Sequence, residues 1–318
     1  MSGPAGHTEK SSIPFEVFAS FERVEPGNPI IAVAPPEWAA ATHAIVVEDA
    51  VHYLWARRRK DNYWTLMHSS APVSAPWAVK HDPRNPVLLP SDEGFDDWAV
   101  EYPFPFLNPA DGRYYVYYLG KRQDPPKQTG LLVGDGDFGD WTRVQETPVI
   151  PADAPYDKDG SSHPTAVVEG QTIHILYTGG SGMTGNLTLC HATAPTSDPA
   201  AVTKDAHNPV FTGSGEAWDA QGARETEFLR GPEYFHMFYG GYDGAIWRIG
   251  HVRTRDFRTF EPNPHNPIFV PSGDPDAWDC DGVLTPQVLA IGDALYMVYA
   301  GMRGREWQTG LARAAVQA

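Results

Sequence analysis

Asn-Pro followed by an aliphatic residue recurs along this chain. It occurs at Asn28-Pro29-Ile30, Asn85-Pro86-Val87, Asn208-Pro209-Val210 and Asn266-Pro267-Ile268, with a degenerate copy at Thr147-Pro148-Val149. Successive copies stand about sixty residues apart, which makes the chain one unit repeated five times. An aromatic residue follows roughly ten positions after each proline: Trp38, Phe95, Tyr156, Trp218 and Trp278. In four units Asp comes directly after it: Asp96, Asp157, Asp219 and Asp279. A short apolar strand, a hairpin and an aromatic strand come next. The aromatic strands begin His52-Tyr53, Tyr115-Val116, His174-Ile175, His236-Met237 and Tyr296-Met297.

Composition narrows the fold further. Thirty Gly and thirty Pro in 318 residues interrupt any long helix. Short strands with many turns survive that density. Four short antiparallel strands per unit, five times over, predict an all-β, five-bladed β-propeller. Its closure is also legible. Phe18 to Pro26 resembles Thr254 to Pro262, an outer strand without its blade, while the last unit stops after its third strand. The N-terminal segment is therefore expected to complete the last blade. Residues 13–318 are read as one domain, because no blade buries both faces alone, and residues 1–12 as a disordered tail.

The net charge of −16 repels phosphate backbones and anionic lipid, so nucleic acid and membrane surfaces are excluded as partners. No apolar run is long enough for a membrane span, and Met1 to Ser12 lacks an apolar signal core, which predicts a cytoplasmic chain. The two cysteines, Cys190 and Cys280, are read as free thiols. Gly134-Asp135-Gly136-Asp137-Phe138-Gly139 fits a dinucleotide fingerprint, but a strand rather than a helix follows it, so it is a turn. Asp157-Lys158-Asp159-Gly160 opens like a calcium loop without the acid at its twelfth position. No metal-binding signature is present, and no organic cofactor is implied.

In a propeller the inner strands converge on the axis. Aligning the blades puts Thr285, Glu225 and His163 at one position, and Asp281, Gln221 and Asp159 four residues earlier. Blade two brings Glu101 and Tyr102 to that position, and blade one Thr42 and His43. Two carboxylates across a closed pocket are the equipment of glycosidic cleavage.

At these residues the chain resembles the five-bladed glycosidase superfamily of arabinanases and β-xylosidases, invertases and levansucrases, and β-mannoside phosphorylases. Glu101-Tyr102-Pro103, with the aromatic strand Tyr114 to Tyr118 behind it, is similar to the Glu-x-Pro strand of those families. His163-Pro164 stands where they often show Asp-Pro, and Asp279 to Val283 before Pro286 has the same character. The chain departs from them on its first inner strand, where Thr42 and His43 replace the usual Asp base.

The resemblance implies a glycoside hydrolase acting on a small-molecule or oligosaccharide substrate. Glu101 and Glu225 are the expected carboxylate pair, with His43 and His163 positioning substrate and Asp159 and Asp281 as second-choice acids. Trp218, Trp278, Trp98, Tyr102, Arg224 and Thr285 are the expected substrate contacts. The resemblance allows a calcium or other ion on the axis near His163, as in some relatives. Arg57, Arg58, Lys121, Arg122, Arg224 and Arg303 are the candidates for a phosphate site if cleavage is phosphorolytic. Two alternatives remain: a lyase, isomerase or cyclase working through His43 and His163, or a sugar-binding propeller without catalysis.

Overall fold

The computed structural model describes residues 13–59, 61, 63–124, 126–180 and 187–315. The tail expected over residues 1–12 lies outside them. The strands form five four-stranded antiparallel units, the blades. Their inner strands are Trp38–Val47, Ala99–Leu107, Ser161–Glu169, Ala223–Arg230 and Gly282–Ile291. Each packs on the next, and the fifth packs on the first, so the ring is closed. Blades one and two are also joined by a parallel bridge between Trp64 and Ala99.

The closure is the one expected. Phe21–Arg23 is the outer strand of blade five and pairs antiparallel with Glu306–Ala314, Phe21 opposite Ala314 and Arg23 opposite Ala312. The pairing removes an open sheet edge.

The recurrent Asn-Pro acquires a physical reason. The Asn208 amide accepts the His191 N–H at 2.6 Å and donates to the His191 carbonyl at 2.8 Å. Asn85 does the same to His68, Asn266 to His251 and Asn28 to Leu311. Each asparagine thus satisfies the backbone N–H of a third-strand residue and shares its carbonyl with a backbone N–H of the outer segment.

The Asp that follows the aromatic residue is architectural. Tyr118, Tyr177, Tyr239 and Tyr299 donate their hydroxyls to Asp96, Asp157, Asp219 and Asp279 at 2.8–3.0 Å. Arg143, Lys204 and Arg23 pair with the first, second and fourth of these carboxylates. In blades one, three and four, a histidine of the second strand meets one of the third at 3.1 Å: His52 with His68, His174 with His191, and His236 with His251.

Trp218 and Trp278 are wedged over glycines. A Cβ on Gly250 would collide with the Trp218 indole, and one on Gly310 with that of Trp278. Each indole also packs on the tyrosine of its blade, with ring centroids 5.5 Å apart. The Gly134 to Gly139 segment is the expected turn; Phe138 is buried and stacks on His52 at 4.2 Å. Both cysteines are free thiols, and burial pushes that of Cys190 up to about 12.

Candidate active site

All five inner strands carry a register shift at the same place. At each shift one residue takes the left-handed conformation: Ala41, Tyr102, His163, Glu225 and Thr285, with φ between 52° and 54°. That region is strained for side chains other than glycine, most of all for β-branched Thr285. The bulge turns each of these residues out of its strand, and all five line one pocket of about 250 Å³. The expected alignment holds for Tyr102, His163, Glu225 and Thr285. Blade one is corrected: the equivalent residue is Ala41, and Thr42 and His43 fall one and two places beyond it.

Glu225 is 4% exposed and held on several sides. The adjacent Arg224 pairs with it, and Thr285 donates its hydroxyl to Oε2 at 2.5 Å. His163 Nε2 stands 3.4 Å from Oε1. Burial holds the His163 imidazole well below its ordinary pKa, and Arg224, Lys127 and His43 add to that, so it is neutral. Burial also lowers the Arg224 guanidinium, to about 10, which leaves it charged near neutral pH.

Glu101 enters from blade two, one residue before the bulge. Its carboxyl is half-buried and has no hydrogen bond or ion pair among the described residues. Lys121 and Lys127 line the same side. Trp38, Trp64 and Trp307 form aromatic walls, the first two edge to face at 5.9 Å. Such faces suit the C–H side of a sugar ring.

Other expected site residues lie elsewhere. His43 is fully buried beneath the pocket, its ring 4.6 Å from that of Tyr102, and lines nothing. Burial lowers it to about 3, although the Pro103 carbonyl opposes this without reaching hydrogen-bond geometry. Asp159 and Asp281 are exposed and outside the pocket, and Asp281 accepts the Gly304 N–H. Trp98 packs against the core between blades one and two, and Trp218 and Trp278 fill their glycine slots, so none of the three faces the pocket. Of the six basic candidates, only Lys121 and Arg224 reach it.

The residues do not fit an axial calcium beside His163. That ion takes six to eight oxygens, whereas the nearest carboxylate, Glu225, is committed to Arg224 and Thr285. Among the described residues no three His, Cys, Asp or Glu side chains group to hold a metal. Among them, too, no helix is long and apolar enough to cross a membrane.

Sequence reasoning missed Lys127, in the connection before the third strand of blade two, and the tryptophans Trp38, Trp64 and Trp307. It also missed Glu227, two residues past the blade-four bulge. Glu227 is 4% exposed, and burial raises its carboxyl well above the ordinary range, so it is neutral. Its signal was faint, because its strand, Ala223–Arg230, also carries Arg224, Glu225, Thr226 and Arg230.

No protein-family model matches the chain, and no curated protein matches it in sequence. Solved structures match over almost its whole length. One is a complex with RGII (TM-score 0.74, 13% identity, covering 95% of each protein). Another is from the GH130 family of mannoside phosphorylases, described as containing glycoside hydrolases that target β-1,2 mannosidic linkages in Candida mannan (TM-score 0.71, 15% identity, 95% of this protein and 96% of that one). A third is the catalytic domain of the Coprinopsis cinerea GH62 α-L-arabinofuranosidase (TM-score 0.67, 11% identity, 93% and 97%). The fold is that of the propeller glycosidases. Within that propeller fold the pocket opens on the axis, where the five bulges meet.

Proposed function

We propose that this propeller cleaves glycosidic bonds in its axial pocket. The observation that carries the reading is the meeting of two carboxylates, Glu101 and Glu225, in one pocket walled by tryptophans. Glu225, paired with Arg224, faces the positive charge that develops at the anomeric carbon. Glu101, with no hydrogen bond or ion pair among the described residues, handles the proton at the leaving oxygen. Thr285 and His163 fix the Glu225 carboxylate from two sides. The buried position of His43 disfavours an acid–base pair made of His43 and His163, because only His163 reaches the pocket.

The test is a panel of aryl glycosides and short oligosaccharides, with and without inorganic phosphate, scored for released sugar. Glu101→Gln and Glu225→Gln should each lose about 10²–10⁴-fold in rate while remaining folded. Wild-type rates in both variants would reject the carboxylate pair. Release that depends on phosphate would make the reaction phosphorolysis.

A further inference from the structure

The pocket sits in a protein of net charge −16, yet three of its cations face two carboxylates. Arg224 is matched by Glu225. On the blade-two side, Lys121 and Lys127 share one carboxylate, Glu101. Lys121 ends the second strand of that blade, Tyr114–Lys121, and Lys127 lies at its seam with blade three, bridged to Gly160. Neither ammonium has a hydrogen bond or ion pair among the described residues. Elsewhere in the propeller the half-buried cations serve the fold: Arg23, Arg143 and Lys204 each grip a buried Asp.

Two like charges close enough to repel, in a partly desolvated wall and unused by the fold, are electrostatically unfavourable. Burial lowers the Lys127 ammonium; Glu101 opposes that, while Arg224 and Lys121 reinforce it. An anion between the two lysines would relieve the repulsion. The excess of one positive charge matches a monoanion, and Glu101 disfavours a dianion at the same spot.

We infer that Lys121 and Lys127 form a subsite for a carboxylate carried by the substrate, so that the pocket selects acidic sugars, the uronic acids and their glycosides, over neutral ones. This rests on the reading of the pocket as a glycoside site. The lysines act on recognition and the carboxylates Glu101 and Glu225 on bond cleavage. Removing a lysine should therefore change which sugar binds.

The experiment is calorimetric titration of the full-length protein with glucuronate, galacturonate, mannuronate and their neutral parents, followed by turnover of the paired aryl uronides and aryl glycosides. A uronate should bind where its neutral parent does not. Lys121→Met and Lys127→Met should each weaken it about ten- to a hundredfold, the range for a charged hydrogen bond. Lys127→Arg should retain most of the preference, and this controls for damage to the fold. Equal binding or turnover of neutral sugars overturns the inference and leaves the glycosidase reading standing. A requirement for free phosphate, lost in the Met variants, also overturns it by assigning the lysines to a co-substrate. Failure of every sugar to bind or react removes both.

Discussion

His163 and Glu225 occupy equivalent left-handed positions on adjacent blades, and their side chains meet with Nε2 of one 3.4 Å from Oε1 of the other. The contact joins a neutral imidazole to a carboxylate, so it orients more than it neutralises. The Ser162 hydroxyl, 2.8 Å from Nδ1, fixes the ring from its far side. His163→Phe should therefore lower kcat while the fold survives. His163→Gln, which can still donate to Glu225, should recover part of that loss. Steady-state kinetics on the substrate found by the panel would check this, and unchanged kcat in the Phe variant would remove His163 from the site.

Arg224 and Glu225 are neighbours in sequence and both buried. Removing one partner of such a pair leaves an uncompensated charge, which typically costs about 3–5 kcal/mol. Arg224→Met should be destabilised by that order in urea titration. The double variant Arg224→Met/Glu225→Gln should recover much of the difference. A stable Arg224→Met protein would mean that the pair is weaker than its geometry implies.

Glu227 is neutral in the folded chain because its burial penalises the charge. Its folded pKa lies above the unfolded value. Its contribution is therefore full below about 4.5, the ordinary Glu range, and falls as pH rises toward the folded pKa. Glu227→Gln removes the ionisable group and keeps the shape. The variant should match wild type near pH 4 and become the more stable protein as pH rises. Thermal melts across pH 4–8 would show the two curves diverging; parallel curves would contradict a protonated Glu227.

The buried histidines act with the opposite sign. His43 is lowered to about 3, and His52, His174 and His236 to about 4, in each case first by burial. A depressed pKa contributes stability above the unfolded value, near 6.5, that is lost as pH falls through the folded one. The melting temperature should drop steeply below pH 6.5. His43→Phe should shrink that drop, since both ring nitrogens of His43 already lack a hydrogen-bond partner among the described residues.

The asparagine clamp gives a test of the repeat. Asn208→Ala would strip the two hydrogen bonds to His191 and leave its N–H unsatisfied, while its carbonyl keeps the Asp205 N–H, a loss of about 1–3 kcal/mol. Thr147→Ala, at the degenerate copy, should be close to neutral. Chemical denaturation of both variants would decide whether the clamp, and not the proline alone, holds the third strand.

The repeat was legible because four of the five copies make each of the same bonds: an asparagine such as Asn208 to a third strand, and a tyrosine such as Tyr239 to an Asp such as Asp219. Four of the five axial residues were legible: His163, Glu225 and Thr285 stand at one distance before their aromatic strands, and Tyr102 precedes Pro103 as His163 precedes Pro164 and Thr285 precedes Pro286. Ala41 stands at that same distance before His52, but an alanine carries no polar mark, and the polar Thr42 and His43 beside it drew the reading away. Trp218 and Trp278 misled for a different reason. An indole suited to a sugar face is equally suited to a slot over glycine, and the slot is made by Gly250 and Gly310, far along the chain. Lys127 escaped because it stands in a connection, where no strand period points to it.

The five bulges also say something about how such a protein changes its chemistry. Ala, Tyr, His, Glu and Thr all sit in one backbone shape within two degrees of φ. The bend does not depend on which side chain occupies it. Each seat around the axis is thus interchangeable: an acid, a base or a plain methyl can be exchanged there without redrawing a strand. A propeller of this kind is a five-place socket, and a new reaction needs only a new occupant.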